Sequence, residues 1–203
     1  KVTLVERRPI LGGNLAKLHT LFPSGKGAYE VVQPIIRNVL ANRNITAKLG
    51  TEVVSSEGFI GNFRMKLSEQ PEFVNGKCTL CAECLKVCPV SVPDDSNFGL
   101  TERKAIYEIE DFASEPSSRK IVVDSQHCTK CGKCVEVCEA NAIDLDLKPK
   151  ESEVEVGSII LATGFDSLEP NGMFLYGGHP DVLTLAQLSR ILNEAGPTNG
   201  HLV

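Results

Sequence analysis

Apolar and polar residues alternate from Lys1 to Glu6, which predicts a strand ending in an acid. A Gly12-Gly13 turn follows, then a polar stretch through Pro23 and Gly27. Pro34 suits the first turn of a helix, where its missing N–H costs nothing, and Ile35, Ile36, Val39 and Leu40 then recur on one helical face. Ile45 to Leu49 predicts a short strand. Phe63, Met65 and Leu67 alternate with Arg64 and Lys66, the pattern of a half-buried strand, and Gly58 and Gly61 punctuate its approach. The pattern changes near Pro71. Residues 72–147 hold every cysteine and a long polar connection, including a surface loop at Ser114 to Ser118 and a strand-like Ala142-Ile143-Asp144-Leu145. Beyond Lys148-Pro149-Lys150, Val154 to Ala162 predicts a buried strand or hairpin ending at Thr163-Gly164. Thr184 to Ala195 predicts a helix: Thr184 and Gln187 form a capping box, Leu185, Leu188, Ile191 and Leu192 a face, and Gly196-Pro197 a stop. The expected fold class is α/β, with residues 1–70 and 148–203 as two parts of one domain and 71–147 as an α+β module between them.

Composition narrows the function. The chain of 203 residues has room for one large or two small domains, and with no Trp and three Tyr its core is poor in large rings. A net charge of −5 gives no attraction for phosphate backbones, so no nucleic-acid partner is expected. No apolar run approaches the roughly 20 residues of a membrane span, and the N-terminus lacks the layout of a secretory signal. The abrupt start at Lys1 and end at His201-Leu202-Val203 read as a piece of a longer chain. All eight cysteines lie between positions 78 and 138. Disulfide scaffolds spread their cysteines through short secreted chains, so this clustering argues for metal in a reducing, cytoplasmic setting.

The cysteines form two matching groups, Cys78-Thr-Leu-Cys81-Ala-Glu-Cys84-Leu-Lys-Val-Cys88 and Cys128-Thr-Lys-Cys131-Gly-Lys-Cys134-Val-Glu-Val-Cys138. Both fit the C-x2-C-x2-C-x3-C run of bacterial two-cluster ferredoxins, in which a tight loop turns three thiolates onto one 4Fe–4S cubane and the fourth ligates its neighbour. The expected ligands are Cys78, Cys81, Cys84 and Cys138 for one cluster, and Cys128, Cys131, Cys134 and Cys88 for the other. Structural zinc is the competing reading, but a third cysteine at this spacing suits a tetrahedral ion poorly. Pro89 follows the first run and Glu139 the second. Glu139 restores an N–H near a cluster sulfur and adds a carboxylate, which predicts unequal potentials or, equally, a tolerated surface change. The 39 residues between Cys88 and Cys128 read as an elaborated loop in preference to a docking surface, and His127 as a solvated residue.

The flanks carry a weaker pattern. Glu6 ends its strand where dinucleotide-binding domains place an acid on the adenosine ribose, and Gly12-Gly13 lies where glutathione-reductase-type flavin domains bring backbone near the cofactor. Ile159-Ile160-Leu161-Ala162-Thr163-Gly164-Phe165-Asp166 resembles the second flavin-contact strand of that superfamily. Taken singly, Glu6 is an ordinary strand-end charge and Gly12-Gly13 an ordinary turn. Their order makes a partial FAD-binding Rossmann domain the expectation, with Glu6, Arg7, Gly12, Gly13, Ala162, Thr163 and Gly164 as FAD contacts. The G-x-G-x-x-G phosphate loop is absent and is expected before Lys1, so FAD belongs to the full-length protein.

Glu6-Arg7 with Gly12-Gly13, the paired cysteine runs, Arg103-Lys104-Ala105-Ile106-Tyr107, Val156 to Asp166 and Gly196-Pro197-Thr198-Asn199-Gly200-His201 together resemble the A-type flavin and iron–sulfur component of CoB–CoM heterodisulfide reductase and its bacterial relatives. The resemblance implies an oxidoreductase component with FAD and two 4Fe–4S clusters. It would exchange electrons with the other subunits of such a complex and with a redox-protein donor or acceptor, in some relatives by flavin-based bifurcation. The chain departs from methanogen-type members at one place: they carry further cysteines after the Phe-Pro that corresponds to Phe22-Pro23, where this chain has Ser24-Gly25-Lys26-Gly27-Ala28-Tyr29. A bacterial homologue with another acceptor fits equally well. His19, Lys26 and Tyr29 are loop polarity or flavin-pocket lining. No residue reads as a catalytic acid, base or nucleophile, since the cofactors carry the chemistry. An electron-carrier or scaffold protein with a degenerate, non-flavin-binding α/β domain is the alternative.

Overall fold

The computed structural model describes residues 1–18, 20–113, 118–164, 166–193 and 196–202 of a mixed α/β chain. The expectations for His19, Phe165, most of the Ser114 to Ser118 loop and the helix end at Ala195 fall outside the described residues.

β1 (Val2–Val5) leads to a short 3-10 turn at Gly13–Lys17, the small pair β2 (Thr20–Leu21) and β3 (Lys26–Gly27), helix α1 (Ala28–Ala41) and β4 (Ile45–Lys48). β1 and β4 pair in parallel, Val2 opposite Ile45 and Val5 opposite Lys48, with α1 connecting them in sequence. The helix begins six residues before Pro34 and buries Ala28, Val32, Gln33 and Ile36, while Ile35 and Leu40 are exposed. This corrects the start read from sequence and half of the face: Ile36 is buried and Val39 packs against the same core, but Ile35 and Leu40 are not part of it. The buried stripe runs back from Ile36 in steps of four to Ala28, through a stretch whose polar neighbours disguised it. Pro34 is tolerated mid-helix because it and Glu30, whose carbonyl loses its partner, both lie on the exposed side.

β5 (Thr51–Phe59) and β6 (Asn62–Glu69) form a hairpin closed at Ile60-Gly61. Met65 and Leu67 turn one face of β6 inward as the alternation requires. The cysteine segment follows, with α2 (Glu83–Val87), β7 (Ser91–Pro93), β8 (Glu102–Lys104), β9 (Ile106–Asp111), β10 (Ser118–Val123) and α3 (Lys133–Glu136). Its two ends are tied by a bridge between Val74 and Ile143, with Asn75 N–H donating to Ala142 (2.8 Å) and Asp144 N–H to Phe73 (2.9 Å).

The connection from Cys88 to Cys128 is not a loop. It folds into two antiparallel pairs, β7–β8 and β9–β10. Ala105, Ile106 and Ile121 are buried there, and their scatter among charged residues concealed the strands. Beyond β9, Phe112 enters the core of the first α/β segment with Leu11, Val32 and Ile36, its ring edge-on to Tyr29 at 5.4 Å and 62°. So this connection does dock, and it docks within the chain.

β11 (Lys150–Val156) lies antiparallel beside β6, from Lys150 opposite Glu69 to Val156 opposite Phe63. The chain therefore leaves this sheet at Glu69 and re-enters it at the neighbouring position. One sheet face carries Met65, Leu67 and Val154; the other carries the pairs Lys66–Glu151 (2.9 Å) and Arg64–Glu155 (3.5 Å). The expected strand through Ala162 is not formed: β11 stops at Val156, and Ile160 and Leu161 are exposed. The physical reason is the end of its partner. Gly61 N–H donates to Gly157 (2.8 Å) at the hairpin tip, beyond which β6 offers nothing to pair with.

Helix α4 (Leu185–Ile191) has the predicted Thr184–Gln187 capping box. Leu185 and Leu192 of its expected face are exposed. Its polar side anchors it instead, with Gln187 Nε2 donating to the Phe98 carbonyl (3.2 Å) and Arg190 Nε to Asn97 Oδ1 (2.7 Å).

Candidate metal centre

Each cysteine loop is bent by residues in the left-handed region, Leu80 and Ala82 in the first and Lys130 and Gly132 in the second. These positions follow the first and second cysteines at the same intervals in both copies, and the second of each pair immediately precedes α2 or α3. The third thiols, Cys84 and Cys134, are buried on those helices, whereas Cys81 and Cys131 are exposed.

The thiols fall into two cavities. Cys78, Cys81, Cys84 and Cys138 line one, walled by Val74, Ile121 and Ile143. Cys88, Cys128, Cys131 and Cys134 line the other, walled by Ala105, Ile106, Val123 and Leu145. In each, three thiols come from one loop and the fourth from the other. Among the described residues no group of three His, Cys, Asp or Glu side chains is gathered closely enough for a single metal ion. Four thiols around a largely apolar cavity fit a cluster of soft metal and sulfide.

Burial, reinforced by Cys78, pushes the Cys84 thiol up to about 11, and burial with Cys128 raises that of Cys134. Without metal both therefore keep their protons at neutral pH, and coordination must displace them. Backbone N–H groups already point at two sulfurs, Lys130 at Cys128 (3.4 Å) and Ala142 at Cys138 (3.3 Å). The N–H expected from Glu139 is not the one on sulfur. Glu139 instead lines the first cavity, and Pro89 lines the second.

Sequence reasoning missed Asp124. Its Oδ2 accepts from Arg103 Nη2 (2.9 Å) and lies 2.9 Å from His127 Nδ1, so His127 is half exposed but held. Burial pushes the Asp124 carboxyl up, yet the bonds from Arg103 and His127 outweigh it and hold it below the usual carboxylate value. An acid four residues before the first cysteine of the second run was the available signal.

Glu6 Oε1 accepts from Arg8 N–H (2.8 Å), and its backbone joins Lys48 and Thr51. Arg7 is exposed and 4.0 Å from Glu52. A Cβ at Gly12 (φ +121) would lie 2.8 Å from Ala16 Cβ, so the close packing there requires glycine. Ala162, Thr163 and Gly164 are exposed, without regular structure, and make no hydrogen bond to Glu6–Gly13 among the described residues. Asp166, just beyond them, acts electrostatically on Lys17. Among the described residues no helix is long and apolar enough to cross a membrane.

Residues 70–139 match a 4Fe–4S dicluster domain. The whole chain is similar to curated methanogen proteins. It is 38% identical over 99% of its length to the A-type iron–sulfur subunit of the CoB–CoM heterodisulfide reductase of Methanocaldococcus jannaschii, covering 31% of that protein. To the second A-type iron–sulfur subunit of the Methanopyrus kandleri enzyme it is 39% identical over its full length, again covering 31%. To the A-type subunit of the ferredoxin:CoB–CoM heterodisulfide reductase of Methanosarcina mazei it is 35% identical over its full length, covering 26%. The chain thus spans less than a third of the length of these relatives. It is a homologue, from end to end, of a segment of the A-type subunit of CoB–CoM heterodisulfide reductase, and it contains a 4Fe–4S dicluster domain.

Proposed function

We propose that each thiol-lined cavity holds one 4Fe–4S cluster, with Cys78, Cys81, Cys84 and Cys138 on one and Cys128, Cys131, Cys134 and Cys88 on the other. The observation that carries this is the exchange of the fourth thiol between the two loops. Bound clusters supply one-electron redox chemistry. The chain's own part is to set four thiolates around each cavity, to exclude water with Phe73, Ile106, Ile121, Ala142, Ile143 and Leu145, and to keep the two sites adjacent by the crossed fourth ligands.

In the full-length protein this electron relay serves a flavin iron–sulfur oxidoreductase of the heterodisulfide-reductase A type, working with partner subunits and a redox-protein donor or acceptor in the cytoplasm. Residues 1–70 and 148–203 are then two parts of one FAD-binding unit around the cluster module at 71–147. The pairing of β6 with β11 across that interval supports this organisation. Glu6, Arg7, Gly12 and Gly13 would face FAD from the end of β1 and the tight turn, and Ala162, Thr163 and Gly164 from the exposed segment after β11. The unstructured exposure of that segment favours the second reading, an electron carrier whose α/β part binds no flavin.

Anaerobic purification tests the clusters: a brown protein with about eight irons per chain is expected from two cubanes. Cys138→Ser should perturb the Cys78-loop cluster and Cys88→Ser the Cys128-loop cluster, as read by EPR. A colourless, iron-free protein would refute the cluster reading, and each variant perturbing its own loop's cluster would refute the crossed ligation. Visible absorbance of the full-length protein separates the flavin reading from the carrier.

A further inference from the structure

The segment Arg103-Lys104-Ala105-Ile106-Tyr107 contributes two walls to the Cys128 cavity, Ala105 and Ile106. Arg103 does something else. Its guanidinium lies 3.8 Å over the Tyr107 ring, and its Nη1 donates to the Lys104 carbonyl at 3.2 Å. Nη2 reaches Asp124, and the two side chains are only 13% and 12% exposed. Stacking and ion pairing together leave this arginine one orientation.

Asp124 holds the turn that runs into Cys128. Its Oδ1 accepts from the N–H groups of Gln126 (3.1 Å) and His127 (3.4 Å), and its carbonyl accepts from Cys128 N–H (2.9 Å). Its own N–H donates to the Ala105 carbonyl at 2.7 Å, tying the turn to the cavity wall. The first loop is led in differently. There the neutral Asn75 takes Lys77 N–H on its side chain (3.0 Å) and Cys78 N–H on its carbonyl (3.1 Å). One loop is thus entered through a neutral turn, and the other through a turn held by a nearly buried ion pair.

We propose that Arg103 and Asp124 are positioning residues of the cluster held by Cys128, Cys131, Cys134 and Cys88, fixing Cys128 and holding two opposite charges in balance beside that cluster. The proposal rests on the two-cluster reading above. As a pair, the charges largely cancel at the cluster. Removing one leaves the other uncompensated in a poorly solvated place, where it acts strongly. A lone Arg103 charge favours the more negative, reduced cluster and raises its potential; a lone Asp124 charge lowers it.

Redox titration of the iron-loaded full chain, followed by EPR, tests this with Asp124→Asn, Arg103→Gln and the double variant. Asparagine keeps the acceptor that organises the turn, so Asp124→Asn should load iron normally. The Cys128-loop midpoint should rise in Asp124→Asn, fall in Arg103→Gln and return toward wild type when the two are combined, with the other cluster unmoved. Should Arg103→Gln lose iron, Arg103→Lys keeps the charge and should retain both the cluster and its midpoint. Shifts of the same sign, equal shifts in both clusters, or two unchanged midpoints would overturn the proposal. A wild-type protein lacking two clusters would instead refute the function on which it rests.

Discussion

The repeated loops offer a matched test of what aims the thiols. Ala82 (φ 62, ψ 9) and Gly132 (φ 80, ψ −14) occupy the same place in the two copies, immediately before α2 and α3. A Cβ added at Gly132 meets nothing within 4 Å, so Gly132→Ala changes the backbone's preference and no packing. The left-handed region costs a side-chain-bearing residue about 1–2 kcal/mol, from which about 0.4–1 kcal/mol of unfolded-state entropy is recovered on replacing glycine. The net is about 1 kcal/mol against the variant, and about the same in favour of Ala82→Gly. At about 1.4 kcal/mol per tenfold, this amounts to roughly fivefold in the opening equilibrium of each loop. Iron release to a chelator under anaerobic conditions reads that equilibrium when reclosure outpaces capture. Bleaching of the Cys128-loop cluster should be about fivefold faster in Gly132→Ala, and that of the Cys78-loop cluster about fivefold slower in Ala82→Gly, by the same arithmetic. Unchanged rates, or faster loss in Ala82→Gly, would refute the view that left-handed residues set the loop geometry.

Phe112→Ala removes a ring that is 6% exposed and should cost about 3–5 kcal/mol of docking. Hydrogen exchange should then lose protection in 28–36 while cluster absorbance persists. Thr184→Ala breaks the capping box and should weaken α4 by about 0.5–2 kcal/mol, read as faster exchange in 185–191. Asp124 has a folded-state pKa below its unfolded one, so its contribution is present above the ordinary carboxylate value and lost as pH falls through the lower folded value. Acid unfolding curves of wild type and Asp124→Asn should therefore differ at neutral pH and converge in acid; a constant gap would contradict the sign.

Local chemistry was legible wherever spacing alone dictates it. The thiol loops follow from cysteine intervals, the α4 cap from Thr184 and Gln187, and β6 from strict alternation around Met65. Long-range partnership was not legible. Nothing near Val156 announces that its pairing with β6 ends opposite Phe63, so the apolar run beyond it looked buried and is exposed. Val32 was missed from the α1 stripe because what buries it includes Phe112, some eighty residues away in the chain. Ile106 and Ile121 were overlooked because their strands carry charges on the outer side, as in the Arg119–Glu108 pair. Glu6 and Gly12 are where the pattern put them, although strand-end acids and tight glycine turns occur in many folds.

Glu69 and Lys150 face each other across two adjacent strands, so the span between them departs and returns through one narrow doorway. A short turn joining these residues would complete an ordinary three-stranded meander, which means the host sheet does not need its guest in order to close. A spliced chain with a short turn in place of 70–149 should still form the ladder between β6 and β11. What the guest adds in return is the plug of Phe112, which converts a tethered appendage into a fixed one.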